Sequence, residues 1–282
     1  MKVAFAGSTG FIGRRAAAAL EARGDEVLPL GRDLDAWAGS IDGADAVVDL
    51  AGENVAGGRW TAARKQALRE SRLSTTRAAV DAIARAARKP RVLVNASAVG
   101  WYGDAGEAEL DESGPLGQGF LAALCRDWEA EARRAEASGA RVVLLRFGVV
   151  LGPGGGALPR MALPFKLFAG GPLGSGRQWV PWVHLDDAVA AVLAALSDPA
   201  LSGPVNVVVP EPVRNADFSK ALGRALHRPA FMPAPAFALR LALGEMAGML
   251  LGGAKVRPGK LQAAGFRFSH PSLDGALSAC FK

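Results

Sequence analysis

The 282-residue sequence predicts an α/β chain: a parallel sheet doubly wound by helices, joined to a smaller, mostly helical lobe on the substrate side. Three observations predict it. Apolar runs of strand length alternate with longer stretches of helical period, the first run ends in a glycine-rich turn that opens a helix, and after residue 150 the texture changes to Gly/Pro-rich loops and then to helical sequence. Half of the residues are apolar, enough for a substantial core without disulfides. The 35 Gly and 17 Pro are dispersed, which excludes a collagen-like or low-complexity chain.

Taken in order, Val3–Ala6 is the first strand, and the Ala-rich stretch Phe11–Arg23 the first helix. Glu26–Leu30 and Ala46–Leu50 follow as strands, then a long helix over Thr61–Arg88 and a strand at Arg91–Asn95. Phe120–Ser138 is rich in Ala, Glu and Arg and sets Leu121, Leu124, Trp128 and Ala132 on one face, so it reads as a helix before the strand Val142–Arg146. Glycines then cluster at 152–156, 170–171 and 174–176, in loops that on an ordered scaffold tend to bind ligands. A helix at Asp186–Leu196 and a strand at Val205–Val209 return the chain to the sheet, and from Asn215 it is mostly helical. There Phe237, Leu241, Met249 and Leu250 recur near helical spacing and are expected in the core of the small lobe. The division expected is a dinucleotide-binding domain over 1–150, completed by parts of 180–210, and substrate-side loops with the C-terminal region over 151–282.

Charge and cysteine usage narrow the class. The net charge is +6, but 33 basic residues are scattered among 27 acidic ones, and only Arg59 to Arg72 is locally basic. A nucleic-acid binder would show a longer basic stripe with aromatics between. No charge-free apolar run reaches the roughly 18 residues of a membrane span, and nothing after Met1 resembles a signal peptide. Cys125 and Cys280 match no disulfide or metal-ligand spacing, so the expected compartment is the reducing cytoplasm and no metal is expected. The expected partner is a small-molecule substrate, with a homodimer left open.

The first strand runs directly into Gly7-Ser8-Thr9-Gly10-Phe11-Ile12-Gly13. In such a GxxGxxG turn the first glycine permits the tight turn, the second lets backbone amides approach a pyrophosphate, and the third lets the helix pack close to the sheet. A lone glycine pattern is weak evidence; its place between strand and helix makes it a Rossmann-type cofactor loop. An NAD-selective site would carry an acidic residue at the end of the second strand, where this chain has Gly31-Arg32. A guanidinium there accepts a 2′-phosphate bidentately, so NADP(H) is the preferred cofactor. Asp33, one residue on, keeps NAD(H) as the alternative.

These residues resemble the short-chain dehydrogenase/reductase superfamily, in its extended, nucleotide-sugar-epimerase-like branch. The likeness is closest to the atypical group of epimerase family proteins, NAD-dependent epimerase/dehydratase-like. It rests on the glycine loop, Leu50-Ala51-Gly52-Glu53-Asn54, Arg59-Trp60-Thr61 with Ser71-Arg72, and Ser97-Ala98-Val99-Gly100-Trp101-Tyr102-Gly103. Arg146 to Pro153, Gly170 to Gly176 and Trp182-Val183-His184-Leu185-Asp186-Asp187 extend it over almost the whole chain, and the stretch from about Met232 is similar to the group's small C-terminal region.

The resemblance implies that Gly7, Thr9, Gly10, Phe11, Ile12 and Gly13 hold the pyrophosphate, Arg32 the adenosine phosphate, and Leu50, Ala51 and Gly52 the adenine-ribose side. Arg72 would add positive charge, and Ser97 would lie at the cofactor and orient the substrate oxygen. Catalysis in the superfamily uses a Ser with a Tyr-x-x-x-Lys pair. Aligning Glu129 with the family's glutamate puts Leu121 where the Tyr belongs and Cys125 where the Lys belongs, and Val149 replaces a common Asn. Tyr102, the chain's single tyrosine, is either a replacement acid or a packing residue. Two functions are therefore expected: a reductase or epimerase-like enzyme on a sugar-like, polyol or nucleotide-sugar-like substrate using Ser97 and Tyr102, or a cofactor-binding regulatory or scaffold protein without turnover.

Overall fold

The computed structural model describes residues 1–281. In chain order the elements are β1 (Lys2–Ala6), α1 (Phe11–Ala22), β2 (Glu26–Leu30), α2 (Trp37–Ile41), β3 (Ala46–Asp49), α3 (Ala62–Arg85), β4 (Val92–Ala98), β5 (Glu109–Leu110) and α4 (Phe120–Arg133). There follow β6 (Arg141–Phe147), β7 (Val149–Leu151), α5 (Leu158–Lys166), β8 (Trp179–Val180), β9 (Trp182–His184), α6 (Leu185–Ser197), β10 (Gly203–Val207) and β11 (Val213–Arg214). The chain ends in α7 (Asn215–Leu226), α8 (Ala236–Leu243), α9 (Ala247–Leu251), β12 (Lys255–Val256), α10 (Gly259–Ala263) and α11 (Leu273–Cys280).

Six strands form one parallel sheet in the order β10-β6-β4-β3-β1-β2. The chain winds outward from β1 to β2 and then crosses back to β3 on the other side of β1. The order thus reverses between β1 and β3, and the crevice outside their carboxyl ends is where such sheets take ligands. Strand alternation divides the core. Val3, Phe5, Val48, Val94 and Val143 pack with Ala16 and Leu20 of α1 and Ala188 and Val192 of α6, while Ala4, Val47, Leu93 and Leu144 pack with Val80 and Ile83 of α3 and Ala132 of α4. A third cluster, with Leu158, Phe165, Phe218, Leu222 and Leu277, forms the small lobe.

The expected strands and long helices are present with ends displaced by a few residues. Thr61 lies outside α3 as its cap, its hydroxyl accepting the Arg64 amide at 3.1 Å, and the Phe120–Ser138 helix finishes as a tighter 3-10 turn over Arg134–Ser138. One expectation is corrected. Phe237 and Leu241 are 73% and 78% exposed, not core, because α8 is a short helix with no buried residue; the lobe's core in this stretch is Met246 and Ala247. Among the described residues no helix is long and apolar enough to cross a membrane.

The lobe is fastened to the sheet by Glu112, a buried carboxylate. One of its oxygens accepts the Asn206 amide of β10 at 2.9 Å and the Lys260 amide of α10 at 3.1 Å. Glu112→Ala should lower unfolding free energy by about 2–4 kcal/mol, since two amides lose a charged acceptor. Urea denaturation measures this, and a loss below about 0.5 kcal/mol would mean that water replaces the carboxylate.

Candidate functional site: a dinucleotide cradle

The turn after β1 is built for close backbone approach. Gly7 sits at φ +81°, and a Cβ there would lie 2.7 Å from the Leu50 carbonyl carbon and the Ala51 nitrogen, so the turns after β1 and β3 touch. A Cβ on Gly13 would collide with the Gly7 carbonyl, which fixes α1 against the turn. The Gly10 amide bonds the Gly7 carbonyl at 2.9 Å, and the first helical bond is Arg14 to Gly10 at 3.0 Å. The amides of Phe11, Ile12 and Gly13 precede that bond, and no side chain caps them. The Phe11 ring turns away into the glycine-rich loop, 3.1 Å from a Cβ position at Gly152 and 2.7 Å from one at Gly156, and so ties α1 to residues 152–156. Thr9 is exposed at the tip of the turn.

Arg32 stands two residues beyond β2, exposed, with no hydrogen bond or ion pair among the described residues. Asp33, the competing residue, is engaged locally: its carboxylate accepts the Asp35 amide at 3.2 Å. Unspent amides at a helix N-terminus and a free guanidinium on the same sheet edge fit the anionic groups of a phosphorylated dinucleotide.

The loop carrying Leu50, Ala51 and Gly52 is held from below. Arg72 of α3 donates to the carbonyls of Leu68 at 3.0 Å and Glu53 at 2.9 Å and lies over the Trp128 ring at 5.2 Å. A Gly52 Cβ would lie 3.3 Å from the Arg72 guanidinium carbon, so Arg72 shapes this loop directly. Asp49, fully buried at the end of β3, accepts the Ala51 amide at 2.9 Å and the Thr76 hydroxyl at 3.1 Å. Thr76 also reaches Asn95 at 3.2 Å and receives the Trp128 indole N–H at 2.9 Å. Burial pushes the Asp49 carboxyl up to about 6, against the opposing pull of its hydrogen bonds and Arg72.

A second polar cluster continues along the same face. Ser97, Arg146 and Asn206 share a register across β4, β6 and β10. The Ser97 hydroxyl donates to Glu129 Oε1 at 2.6 Å, and Glu129 is gripped bidentately by Arg146, at 2.8 Å from Nε and 2.9 Å from Nη2. Arg146 Nη1 donates to the Tyr102 hydroxyl at 3.0 Å, and that hydroxyl shares its one proton between Asn206 Oδ1 at 2.7 Å and the Asp111 carbonyl at 2.8 Å. Ser97 and Tyr102, the two candidate catalytic residues, are 3% and 2% exposed, and both hydroxyls are committed inside this cluster. Burial raises the Tyr102 phenol above its ordinary range despite the nearby guanidinium.

Leu121 and Cys125 do face the end of β4: a Cβ on Gly100 would be 3.1 Å from Leu121 Cβ and 3.7 Å from Cys125 Sγ. The thiol is buried, with its pKa pushed up to about 12 by desolvation and by Glu129, so it supplies neither proton nor charge. Sequence reasoning did not find Asp49, Thr76, Asn95 or Asn206 as a network. The available signal was polar side chains inside otherwise apolar strands, as with Asn95 and Ser97 in Val92 to Ala98 and Arg146 in Arg141 to Phe147.

The fold and this edge define a dinucleotide-binding protein of the doubly wound type. Residues 3–209 match the NAD dependent epimerase/dehydratase family and residues 234–280 a domain of unknown function, DUF1731, and the chain belongs to that epimerase/dehydratase family. It is 46% identical to the epimerase family protein Mb2239 of Mycobacterium bovis, over 98% of this chain and 96% of that protein. It is 42% identical to the epimerase family protein SDR39U1 of Bos taurus, over 98% of each. Among solved structures, human SDR39U1 (isoform 2), crystallised with NADPH, superposes with a TM-score of 0.94 at 39% identity, covering 100% of this chain and 99% of that one.

The raised pKa of Asp49 has a defined effect on stability. The folded protein holds this proton more tightly than the unfolded chain, so stability falls as pH rises from about 4 and the full deficit is present above about 6. Asp49→Asn keeps an acceptor for Ala51 and removes the buried charge. It should be more stable than the unmodified protein above pH 6, by about 3 kcal/mol, and equal to it below pH 4. Urea unfolding across this range tests it; parallel pH profiles would show that Asp49 ionises without cost.

Proposed function

We propose that the chain is an NADP(H)-dependent oxidoreductase of the epimerase/dehydratase type, acting on a small hydroxyl- or carbonyl-bearing substrate of sugar-like, polyol or nucleotide-sugar-like chemistry. The observation that carries this reading is the unpaired Arg32 guanidinium on the same edge as the uncapped amides of Phe11, Ile12 and Gly13. NADPH in the human relative's crystals supports the same choice of cofactor. In this reading the 1–150 region, completed by parts of 180–210, binds the dinucleotide, residues 151–282 supply the substrate side, and the protein works in the reducing cytoplasm, where Cys125 and Cys280 stay thiols.

The bound nicotinamide would supply the hydride. The chain's own part is to bind and orient: Gly7, Gly10 and Gly13 let the turn approach the pyrophosphate, Arg32 clasps the 2′-phosphate, and Leu50, Ala51 and Gly52 border the adenosine. Leu121 and Cys125 pack at the end of β4 and donate no proton. With Ser97 and Tyr102 held inside the Glu129–Arg146 cluster, their role is to position the ends of β4 and β6, and the proton for the substrate oxygen comes from solvent. The same commitment of both hydroxyls favours a second reading, a protein that binds NADP(H) and reports its redox state without turnover. Hydride turnover on any member of a carbonyl, polyol and nucleotide-sugar panel supports the first; tight binding with none supports the second.

Arg32→Ala should lose most of the preference for NADPH over NADH, a tenfold to hundredfold change for a charge-assisted contact of roughly 1.5–3 kcal/mol, and leave NADH affinity nearly unchanged. Fluorescence titration of both nucleotides measures it. Equal affinities in the unmodified protein would move the adenosine contact to Asp33.

A further inference from the structure

The large apolar side chains exposed among the described residues are not scattered. Apart from Met1 and Leu116 they fall in two segments: Leu163, Leu167 and Phe168 at and just beyond the end of α5, and Phe231, Met232, Phe237 and Leu241 on the approach to α8 and along it. The two segments lie against each other. The Met232 amide donates to the Gly170 carbonyl at 3.1 Å, the Ala234 amide to the Pro172 carbonyl at 2.9 Å, and the Arg228 guanidinium lies 4.8 Å from the centre of the Phe168 ring. A spacing of four residues sets Leu163 beside Leu167 and Phe237 beside Leu241. Phe168 adopts φ +60°, a strained conformation for a bulky residue, and it is still 59% exposed. An apolar surface gathered in this way marks a contact that the isolated chain leaves unmade.

Charge decides what covers it. Lys166, Arg228 and Arg240 are exposed in the same two segments, without an ion-pair partner among the described residues, and neither 157–173 nor 227–243 contains an acidic residue. Glu245, the next acid after α8, is already paired with Lys65 at 2.7 Å. In a two-fold contact with a second copy the patch would meet itself and bring these cations together with no acid opposite them. Apolar side chains interleaved with unpaired cations fit the headgroup region of an anionic bilayer, where phosphates meet the cations and the rings and leucines enter the acyl boundary.

We propose that residues 163–168 and 228–241 form a face that docks peripherally on an anionic lipid bilayer. The face borders the cradle: Arg160 of α5 donates to the Ala56 carbonyl, and a Cβ on Gly244, just after α8, would lie 3.4 Å from Arg59 Nη2, so both segments touch the loop that continues from Gly52. Docking of this kind needs no membrane-spanning helix and does not depend on turnover.

The test is flotation of the untagged full chain with vesicles of phosphatidylcholine containing about 30% phosphatidylglycerol, at about 0.1 M salt. Saturable binding that is at least tenfold weaker on pure phosphatidylcholine is the expected result. Each cation near such a surface contributes about a fivefold change in affinity, so Lys166→Glu with Arg240→Glu should weaken binding at least tenfold. Phe237→Ser with Leu241→Ser, which leaves the charge unaltered, should do the same, while circular dichroism and Tm stay close to those of the unmodified protein because both side chains face solvent. Arg85→Glu with Lys89→Glu, an equal change of charge on exposed residues at the end of α3, should leave binding nearly unchanged. No vesicle binding by the unmodified chain, including a chain that self-associates or takes an acidic protein through this face instead, overturns the proposal. So does binding that survives both face variants or falls equally in the α3 variant.

Discussion

The ion pair between Glu129 and Arg146 is the contact on which the carboxyl edge of the sheet depends. Both side chains are almost fully buried, and the pair is bidentate. Taking two charges out of water is costly, and the cost is recovered only where geometry and further hydrogen bonds satisfy the remaining atoms. Here they do. Glu129 also receives the Ser97 hydroxyl, Arg146 also donates to Tyr102, and the Trp101 ring lies 4.0 Å from the guanidinium carbon. Removing either charge alone would strand the other, a loss of about 3–5 kcal/mol in such pairs. The pair thereby locks α4 onto β4 and β6, and Tyr102 carries the connection on to Asn206 of β10 and, through its amide, to Glu112.

Beside it, Asp49, Thr76, Asn95 and Trp128 do for the turn after β3 what the ion pair does for the turn after β4. Their bonds run from the sheet to α3 and α4, and the Ala51 amide is their outlet to the surface. Because Gly7 is in contact with Leu50 and Ala51, the cradle's geometry is set from beneath by groups that need never meet a ligand. A site built from backbone amides has no side chain of its own to aim, so its precision has to come from this support.

Legibility in the sequence followed the periodicities. The strands of the main sheet were readable because most of them are apolar runs, as the buried central strands β1, β3, β4 and β6 largely are. The glycine turn was readable because its residues are constrained by local geometry. The two-residue strands β5, β8, β11 and β12 have too little length to show a period. Phe237 and Leu241 were misplaced because helical spacing reports an apolar face but not whether anything covers it. Arg32 was legible as a position at a strand end, whereas the fate of Ser97 and Tyr102 was not, since it rests on partners in α4, β6 and β10.

The family's fold and its usual acid–base pair are separable, and this chain shows the physical basis. The resemblance implies that the family's Tyr and Lys positions fall at Leu121 and Cys125 of α4, which pack against Gly100. Among the described residues the Cys125 thiol bonds only the Ala98 carbonyl and the Leu121 side chain bonds nothing, so the cofactor edge depends on neither. Their presence does change what a reaction there requires. Adding hydride to a carbonyl builds negative charge on oxygen, and a Tyr–Lys pair meets that charge with a proton and a fixed cation. An apolar leucine and a thiol with a pKa near 12 meet it with neither. Stabilisation then has to come from backbone amides, from solvent, or from the substrate's own acidity. Under the proposed function, such a site suits a substrate whose oxygen is already activated by its own chemistry rather than an unactivated ketone.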